Sequence, residues 1–518
     1  MSTTQADSAN PTRETKKMSR RKFLGTLTAA TLGASIVPAR VLGGPKPTAP
    51  SERINVAYIG LGTQGLRQLG DLLNLPDVQV VAVCDPQRHA GAYLDWSPTG
   101  LRDQLRHLIG DDQWNPGGGS TIPGGLENGR DIVDAYYARN RPDQKLGGCR
   151  AYADFRELLA KESDLDAVQI MTPDHLHGVI ATAALKRNLA VTMHKPISNR
   201  LREGRKVIDQ ALRAKVVTHL LPWDINGSME PIMAWINQGA IGRLQEIHNW
   251  SYRPVWPQYS TVPTDRPPVP EGFDWNLWLG PEADRPYHPD YTNMVFRGWY
   301  DFGGGSMADM GHYSLWSVFE ALKLEKPTVV DPCLSHVCGL KADGSAFKVR
   351  NDYSFPFASS VRFKYPGAAG RPAVDLVWYD GGMRPPVPPE FYEWKREFPS
   401  EGMMFKGDQG IIMAGFFLEN PYLLSRSQPP PARDAARAEA ARVPGVRRFI
   451  EGVKTNQQVA GSFRQAWPLT EAVNLYAAAL RAGHRLDYDP ERMKVTNDET
   501  ADSYLDRHYR PGWELENI

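Results

Sequence analysis

Cysteine is scarce in this chain, with four among 518 residues. None stands in the His, Cys, Asp or Glu company that a zinc site needs, so no metal centre is expected. Cys84 closes an apolar run and reads as a buried thiol. Cys333 and Cys338 lie close enough in sequence to pair as a disulfide, the alternative being two free thiols. Charge of one sign is also missing. Sixty basic residues face 59 acidic ones, a net charge of +1, which excludes the broad basic surface of a nucleic-acid binder or an anionic-membrane binder. No internal repeat or low-complexity tract is present. The chain is too long for one compact core, so two domains with extensions are the prior. What it has in quantity is proline (42) and tryptophan (14). Many of these fall between Trp250 and Trp299, which predicts long loops with aromatic walls.

The first residues read as an address. Ser19-Arg20-Arg21-Lys22-Phe23-Leu24 resembles a twin-arginine export signal, followed by an apolar segment to Val37 that is too short and weak to span a bilayer. Small residues at Val37-Pro38-Ala39 suit a signal peptidase. Residues 1–43 are therefore expected to be signal and linker, recognised by the Tat machinery, and the protein periplasmic or otherwise exported. A disordered basic tail is the alternative.

Residues 54–85, INVAYIGLGTQGLRQLGDLLNLPDVQVVAVCD, organise the rest of the chain. An apolar strand (54–59) leads through Gly60, Gly62 and Gly65 into a helix. A second strand ends at Asp85, twenty residues past the last glycine. A bare GxGxxG is weak, but strand, glycine loop, helix and distant acid together are the dinucleotide fingerprint. Gly60 turns the chain and Gly62 admits a pyrophosphate at close range. Thr63 and Gln64 open the helix, and Gly65 lets helix and strand pack. The helix N-terminus favours phosphate, and Asp85 would accept from the adenosine ribose hydroxyls. Strands and helices then alternate to residue 221, predicting a doubly wound parallel sheet over 52–222. The Gly- and Pro-rich stretch 90–148 reads as an insertion, a surface excursion over the cofactor edge. Residues 223–518 read as an α+β domain with an open, mainly antiparallel sheet and a C-terminal extension. Strands are predicted over 244–252 (half-exposed), 328–330, 353–363, 373–378 and 410–414, and helices over 306–322 and 469–482. The Ala- and Arg-rich stretch 429–448 reads as a polar helix or linker.

In a doubly wound sheet, ligands sit beyond the carboxyl ends of the strands. That places Thr172-Pro173-Asp174-His175-Leu176-His177 and His194-Lys195-Pro196 beside the glycine loop, with Thr172, Pro173, His175 and His177 as cofactor contacts. A partly desolvated Lys195 near a cationic ring would have a lowered pKa and can hydrogen-bond a substrate hydroxyl as it becomes a carbonyl; a lysine snorkelling from a strand end gives the same pattern. Asp301-Phe-Gly-Gly-Gly-Ser-Met-Ala-Asp309-Met-Gly-His312-Tyr313 opens a helix. His312 and Tyr313 fall three and four residues past Asp309, on its side of the helix. Acid, imidazole and phenol together offer proton transfer, and a capped helix with core residues offers none.

The motifs GLGTQG, VAVCDP, TPDHLH, the x-Lys-Pro of MHKP, GAIGRLQEIHNWSYRPVWPQ, WNLWLGP and GWYDFGGGSMADMGHY resemble those of the Gfo/Idh/MocA oxidoreductase family, in particular its exported bacterial members. The likeness runs from about residue 54 to 322 without the 90–148 stretch. It implies a Rossmann domain binding NAD or NADP, a second domain whose open sheet covers the substrate and often mediates homo-oligomers, and hydride transfer at hydroxyls or carbonyls of sugars, polyols and related compounds. Its catalytic lysine falls on Lys195 and its substrate-orienting aspartate on Asp309. The acid/base position falls on Tyr313, as in the glucose-fructose oxidoreductase-like branch, with His312, one position early, as the alternative. His194 replaces the usual glutamate before Lys-Pro. Asp85 favours NAD because a carboxylate repels a 2′-phosphate, while Arg88 nearby keeps NADP open. Export implies a tightly bound cofactor, recycled by a second substrate. Trp256 and Trp299 are candidates to stack on a sugar face, and Arg253 and Arg297 to hold its polar groups. The same resemblance implies two rival functions: an NAD-dependent glycoside hydrolase working by transient oxidation, and a non-catalytic sugar-binding protein.

Overall fold

The computed structural model describes residues 52–116, 118–119, 122–144, 146–221, 227–368, 370–424 and 445–518. The expected signal and linker, and the Ala/Arg-rich stretch up to residue 444, lie outside the described residues. Residues 48–518 belong to one compact unit.

Strand β1 (Ile54–Ile59) runs into helix α1 (Thr63–Leu73) and back along β2 (Val78–Cys84). The chain then makes an antiparallel pair, β3 (Ala90–Tyr93) with β4 (Ile122–Gly124), enclosing α2 (Pro98–Ile109). Helix α3 (Leu126–Asn140) leads to β5 (Arg150–Tyr152), and α4 (Phe155–Lys161) to β6 (Ala167–Ile170). Helices α5 (Asp174–Lys186) and α6 (Leu201–Ala214) flank β7 (Ala190–His194) and precede β8 (Thr218–Leu221). The six strands form one parallel sheet, ordered β5-β2-β1-β6-β7-β8. Alternation along β1 shows why its sequence is apolar beyond the half-buried Asn55. Ile54, Val56 and Tyr58 enter the core shared with α1 and α3, while Ala57 and Ile59 enter the opposite core with α5 and α6. Both faces are covered, so neither can be polar. Asp154 caps α4, accepting from the Arg156 amide.

The 90–148 stretch divides in two. Its first part forms the β3/β4 pair over the glycine loop. In its second part, α3 buries Ile132, Val133, Tyr136 and Tyr137 in the parallel-sheet core. This helix is the crossover between β2 and β5 rather than surface.

Beyond residue 226 come α7 (Glu230–Asn237), β9 (Leu244–Trp250) and α8 (Trp275–Leu279). A π-helical turn over Met307–Gly311 leads into α9 (His312–Leu322). There follow β10 (Val329–Leu334), β11 (Cys338–Leu340), β12 (Ala346–Lys348), β13 (Ser359–Tyr365), β14 (Val374–Asp380), α10 (Pro389–Glu393), β15 (Gly402–Gly407), β16 (Ile411–Ala414) and β17 (Tyr422–Leu423). Helices α11 (Gly445–Thr455) and α12 (Phe463–Ala482), strands β18 (Leu486–Asp489) and β19 (Lys494–Val495), and α13 (Glu499–Ser503) complete the order. The second sheet is nine-stranded and open, ordered β17-β16-β15-β9-β14-β13-β10-β18-β19. All its pairs are antiparallel except β9 with β14.

Several local expectations need correction. Strand β9 is central and not half-exposed: Ile247 packs under α9 and α12, and Trp250 packs on the other face against Phe398. The strand expected from residue 353 starts at Ser359, because residues 351–354 form a hydrogen-bonded turn tied to the Tyr259 and Ser260 carbonyls. Cys333 and Cys338 are free, exposed thiols. Cys333 pairs across to Ser360 of β13, whereas Cys338 belongs to the separate β11/β12 ribbon. Trp299 is 2 % exposed, stacked on Tyr259 with its indole N–H on the Asp290 carbonyl, and so is closed to a sugar. It sits in an aromatic cluster with Trp278, Tyr291 and Phe302.

Candidate active site

The carboxyl ends of β1, β2, β6 and β7 open onto a cavity of about 910 Å³ roofed by the second sheet and its loops. At one end lies the glycine loop. Gly60 has φ +102, and a Cβ there would stand 2.5 Å from the Met171 carbonyl carbon, so only glycine makes this turn. A Cβ on Gly65 would strike the Gly60 carbonyl oxygen at 2.2 Å, the close helix–strand packing expected of the third glycine. Gly62, Thr63 and Gln64 line the cavity directly.

Asp85 also lines it, with Oδ2 accepting from the Leu61 amide (2.7 Å) and Oδ1 from the Gln87 amide (2.9 Å). Burial pushes its carboxyl up to about 6 against those two amides. Arg88 points outward and pairs with Glu127 at 2.5 Å, which neutralises the charge that kept NADP open. Two observations fit a dinucleotide here. No side chain caps the start of α1 at Gly62, so its first-turn amides face the cavity uncapped. At the other end Thr172 lines the cavity, and its buried hydroxyl has no partner among the described residues, an orphaned group suited to the polar edge of a nicotinamide.

Of the histidines expected beside Thr172 and Pro173, neither faces the cavity. His175 is fully buried, donates from Nε2 to the Trp278 carbonyl (2.8 Å) and packs on Trp278 and Phe302. His177 sits between the Thr172 carbonyl (2.9 Å) and the Pro196 carbonyl (2.6 Å), fixing the β6 and β7 loops to each other. Their burial follows from α5, whose first turn is enclosed between the two sheets.

The far end carries the acid–base groups. Lys195 is 2 % exposed and donates to Asp309 Oδ1 at 2.8 Å and to the Asp309 carbonyl. Burial lowers its pKa, opposed by Asp309. Burial also acts to raise Asp309, but Lys195 and Arg297 outweigh it and hold the carboxyl below its ordinary value. Lys195 thus stands behind Asp309, and Asp309 faces the cavity. The π-helical turn aims Asp309 there, the extra residue re-registering the helix at a functional point.

Tyr313 lines the cavity, and its hydroxyl meets His194 Nε2 at 3.2 Å. Burial first, then Asp309, pushes its phenol well up. His194, also lining, is driven well below its ordinary value by burial and by Lys195, so its ring is neutral and Nε2 can accept a hydrogen bond from the phenol. His312 points away: Nδ1–H donates to the Ala308 carbonyl (3.1 Å), and Nε2 has no partner among the described residues. The geometry brings Tyr313 into the cavity and keeps His312 out.

Two family models match this architecture. One, for the NAD-binding Rossmann fold of the Gfo/Idh/MocA oxidoreductases, covers residues 127–221, and one for their C-terminal alpha/beta domain covers 229–330 and 405–515. The chain belongs to the Gfo/Idh/MocA oxidoreductase family. Levoglucosan dehydrogenase of Pseudarthrobacter phenanthrenivorans is 27% identical over 121 residues, 22% of this chain and 30% of that protein. The chain thus covers under a third of that relative's length. Among solved structures, the WlbA dehydrogenase of Bordetella pertussis, in complex with NADH and UDP-GlcNAcA, has a TM-score of 0.48 at 13% identity, over 84% of this chain and 99% of that one. GenD2 from gentamicin A biosynthesis, in complex with NAD, also scores 0.48 at 14% identity, over 86% and 99%.

In this family setting, one wall of the lining that escaped sequence reasoning covers the glycine loop. Tyr93 of β3 covers Gly62, its ring 3.4 Å from where a Cβ would be, and Asp95 and Trp96 continue the wall, both held by Arg67 of α1. His194 was visible as a departure from the usual glutamate, but nothing in sequence linked it to a residue 119 positions away.

Proposed function

We propose that the chain is an NAD-dependent oxidoreductase acting on a hydroxyl or carbonyl of a sugar or polyol. The observation that carries this reading is a shared wall. Asp309, Tyr313 and His194 line the same cavity as Gly62 and Asp85, so acid–base groups and dinucleotide cradle address one volume. When bound, NAD supplies the hydride acceptor.

The chain's own residues handle the proton and the pose. The Tyr313 hydroxyl takes the proton of a substrate hydroxyl while its own proton passes to neutral His194 Nε2. A phenol with a raised pKa is a poor stored base, and His194, held neutral by burial and Lys195, is a poor final acceptor, so the pair passes the proton on to water in the cavity rather than storing it. Asp309 accepts from a neighbouring substrate hydroxyl. Lys195 keeps Asp309 ionised and in place, acting through it as a positioning residue. Asp85 supports NAD over NADP, since its carboxylate lies beside the expected adenosine end and Arg88 there is already paired with Glu127.

The test is NADH formation by the purified chain over a panel of sugars and polyols, with Tyr313→Phe alongside. Turnover is expected with at least one panel member, and Tyr313→Phe should lower kcat by about 10²–10⁴. Full activity of Tyr313→Phe would overturn the relay. Sugar release from an aryl glycoside with no net NADH would move the assignment to glycoside cleavage.

A further inference from the structure

Four charged side chains surround the corner where Asp309 and Tyr313 meet the cavity, and three of the four are matched. Lys195 and Asp309 pair at 2.8 Å. Arg253 pairs with Glu401 at 2.6 Å. Arg297 is the remainder. Its sole acidic contact among the described residues is a 3.4 Å approach of Nε to Asp309 Oδ1, the oxygen that already receives Lys195. Its guanidinium lies over the Phe296 ring at 4.5 Å, and its side chain is 17 % exposed. It lines the cavity, and no carbonyl or carboxylate among the described residues accepts a hydrogen bond from it. Asp174, a second buried acid that feels the charge of Arg297, is outside the lining, forms no ion pair with it among the described residues and accepts from the Gly304 amide.

A mostly buried guanidinium with open donors gains more from an anion than from a neutral ligand, whose hydroxyls satisfy the donors but leave the charge unpaired. Its planar fork matches a carboxylate, forming two parallel charge-assisted hydrogen bonds. We infer that the substrate is a sugar acid or polyhydroxy acid whose carboxylate is bound by Arg297, beside the carbinol addressed by Tyr313. This rests on the sugar-oxidation reading above and narrows its substrate class. Arg253, held by Glu401, forms the outer side of the same pocket without a charge to spare.

Matched pairs test it: glucuronate against glucose and gluconate against glucitol, assayed with NAD for turnover and by calorimetric titration of the NAD-loaded chain for binding. Wild type should favour at least one acid over its neutral counterpart. Arg297→Gln should cut the acid-to-neutral ratio of kcat/KM by about 10- to 100-fold, mainly through KM for the acid, and Arg297→Lys should restore part of it. The inference is overturned if neither acid outperforms its counterpart in turnover or binding, or if a folded Arg297→Gln keeps the wild-type ratio. If none of the four is turned over but an acid still binds through Arg297, the sugar-oxidation reading fails and the anion site stands. If glucose or glucitol turns over with no preference for the acids, the reverse holds.

Discussion

Lys195→Met leaves a carboxylate buried without its main counter-charge, and its consequences can be worked out. The ammonium is 2 % exposed and sits 2.8 Å from Asp309 Oδ1, whose side chain is 18 % exposed. Removing one partner of such a pair costs about 3–5 kcal/mol. Arg297, 3.4 Å from the same oxygen, remains, so the lower end, about 3 kcal/mol, is expected. The sharper signature is in the pH dependence. In wild type the folded pKa of Asp309 lies below the ordinary 3.8. Its contribution to stability is therefore present above 3.8 and lost as pH falls through the folded value. In Lys195→Met burial acts with less opposition and the folded pKa moves above 3.8. The native state then holds a proton that the unfolded chain has released, and Asp309's contribution grows on acidification. Urea unfolding at about pH 8 and about pH 5 should show a destabilisation that shrinks at the lower pH. Adding Asp309→Asn should recover about 2 kcal/mol, and with the Asp309→Asn single variant a double-mutant cycle reads the coupling. A loss below about 1 kcal/mol, or a wild-type pH slope in Lys195→Met, would refute the placement of Lys195 as the counter-ion of Asp309.

The same geometry sets other outcomes. His312→Ala should cost about 2–3 kcal/mol of stability through the cavity it leaves, yet keep kcat/KM within about threefold; a collapse of kcat with normal stability would restore His312 as the acid/base group. Asp85, lifted to about 6, must be ionised to hold a ribose, so NAD should bind about tenfold more weakly for each pH unit below about 6, and Asp85→Asn should flatten that profile in a fluorescence titration. The stability contribution of the same group runs the opposite way, falling as pH rises from 3.8 to about 6. Iodoacetamide should label Cys333 and Cys338 in the native protein and Cys84 and Cys149 only after unfolding, as read by peptide mass; protection of Cys333 or Cys338 would contradict their exposure.

Much of the cofactor end was legible because its physics is local. Turn, amide cradle and terminal acid all lie within residues 54–85, and Gly65 answers to a clash with Gly60 five residues away, whereas the clash that fixes Gly60 comes from distant Met171. The parallel sheet was equally readable, since strands buried on both faces are mostly apolar on both. The substrate end was legible as a set of candidates but not as an arrangement. Asp309, His312 and Tyr313 are neighbours on any helix, and the π-helical turn plus tertiary packing decided which of them reach the cavity. His175 and His177 look like ligand contacts in sequence, yet the second domain closes over α5 and converts both into internal ties. Trp299 deceives for a similar reason: an aromatic in a proline-rich loop is assigned to the surface until its partners, Tyr259 and Tyr291, are known. The parallel pairing of β9 with β14 joins segments about 130 residues apart, beyond the reach of periodicity.

Helix α12 belongs to both halves of the molecule. Phe463 and Ala466 are embedded in a core of the parallel sheet, and Leu469 through Leu480 in the core of the open sheet. A single rod anchored in both cores resists the clamshell opening by which two-domain enzymes often admit ligands. Pro468 lies between the two anchor points, where its missing N–H leaves the helical ladder one bond short. Relative motion of the sheets, if driven by ligand, has its natural pivot there. Larger traffic in and out of the cavity then falls to the loops at 252–256 and 292–297, which include the arginines that would greet an incoming acid.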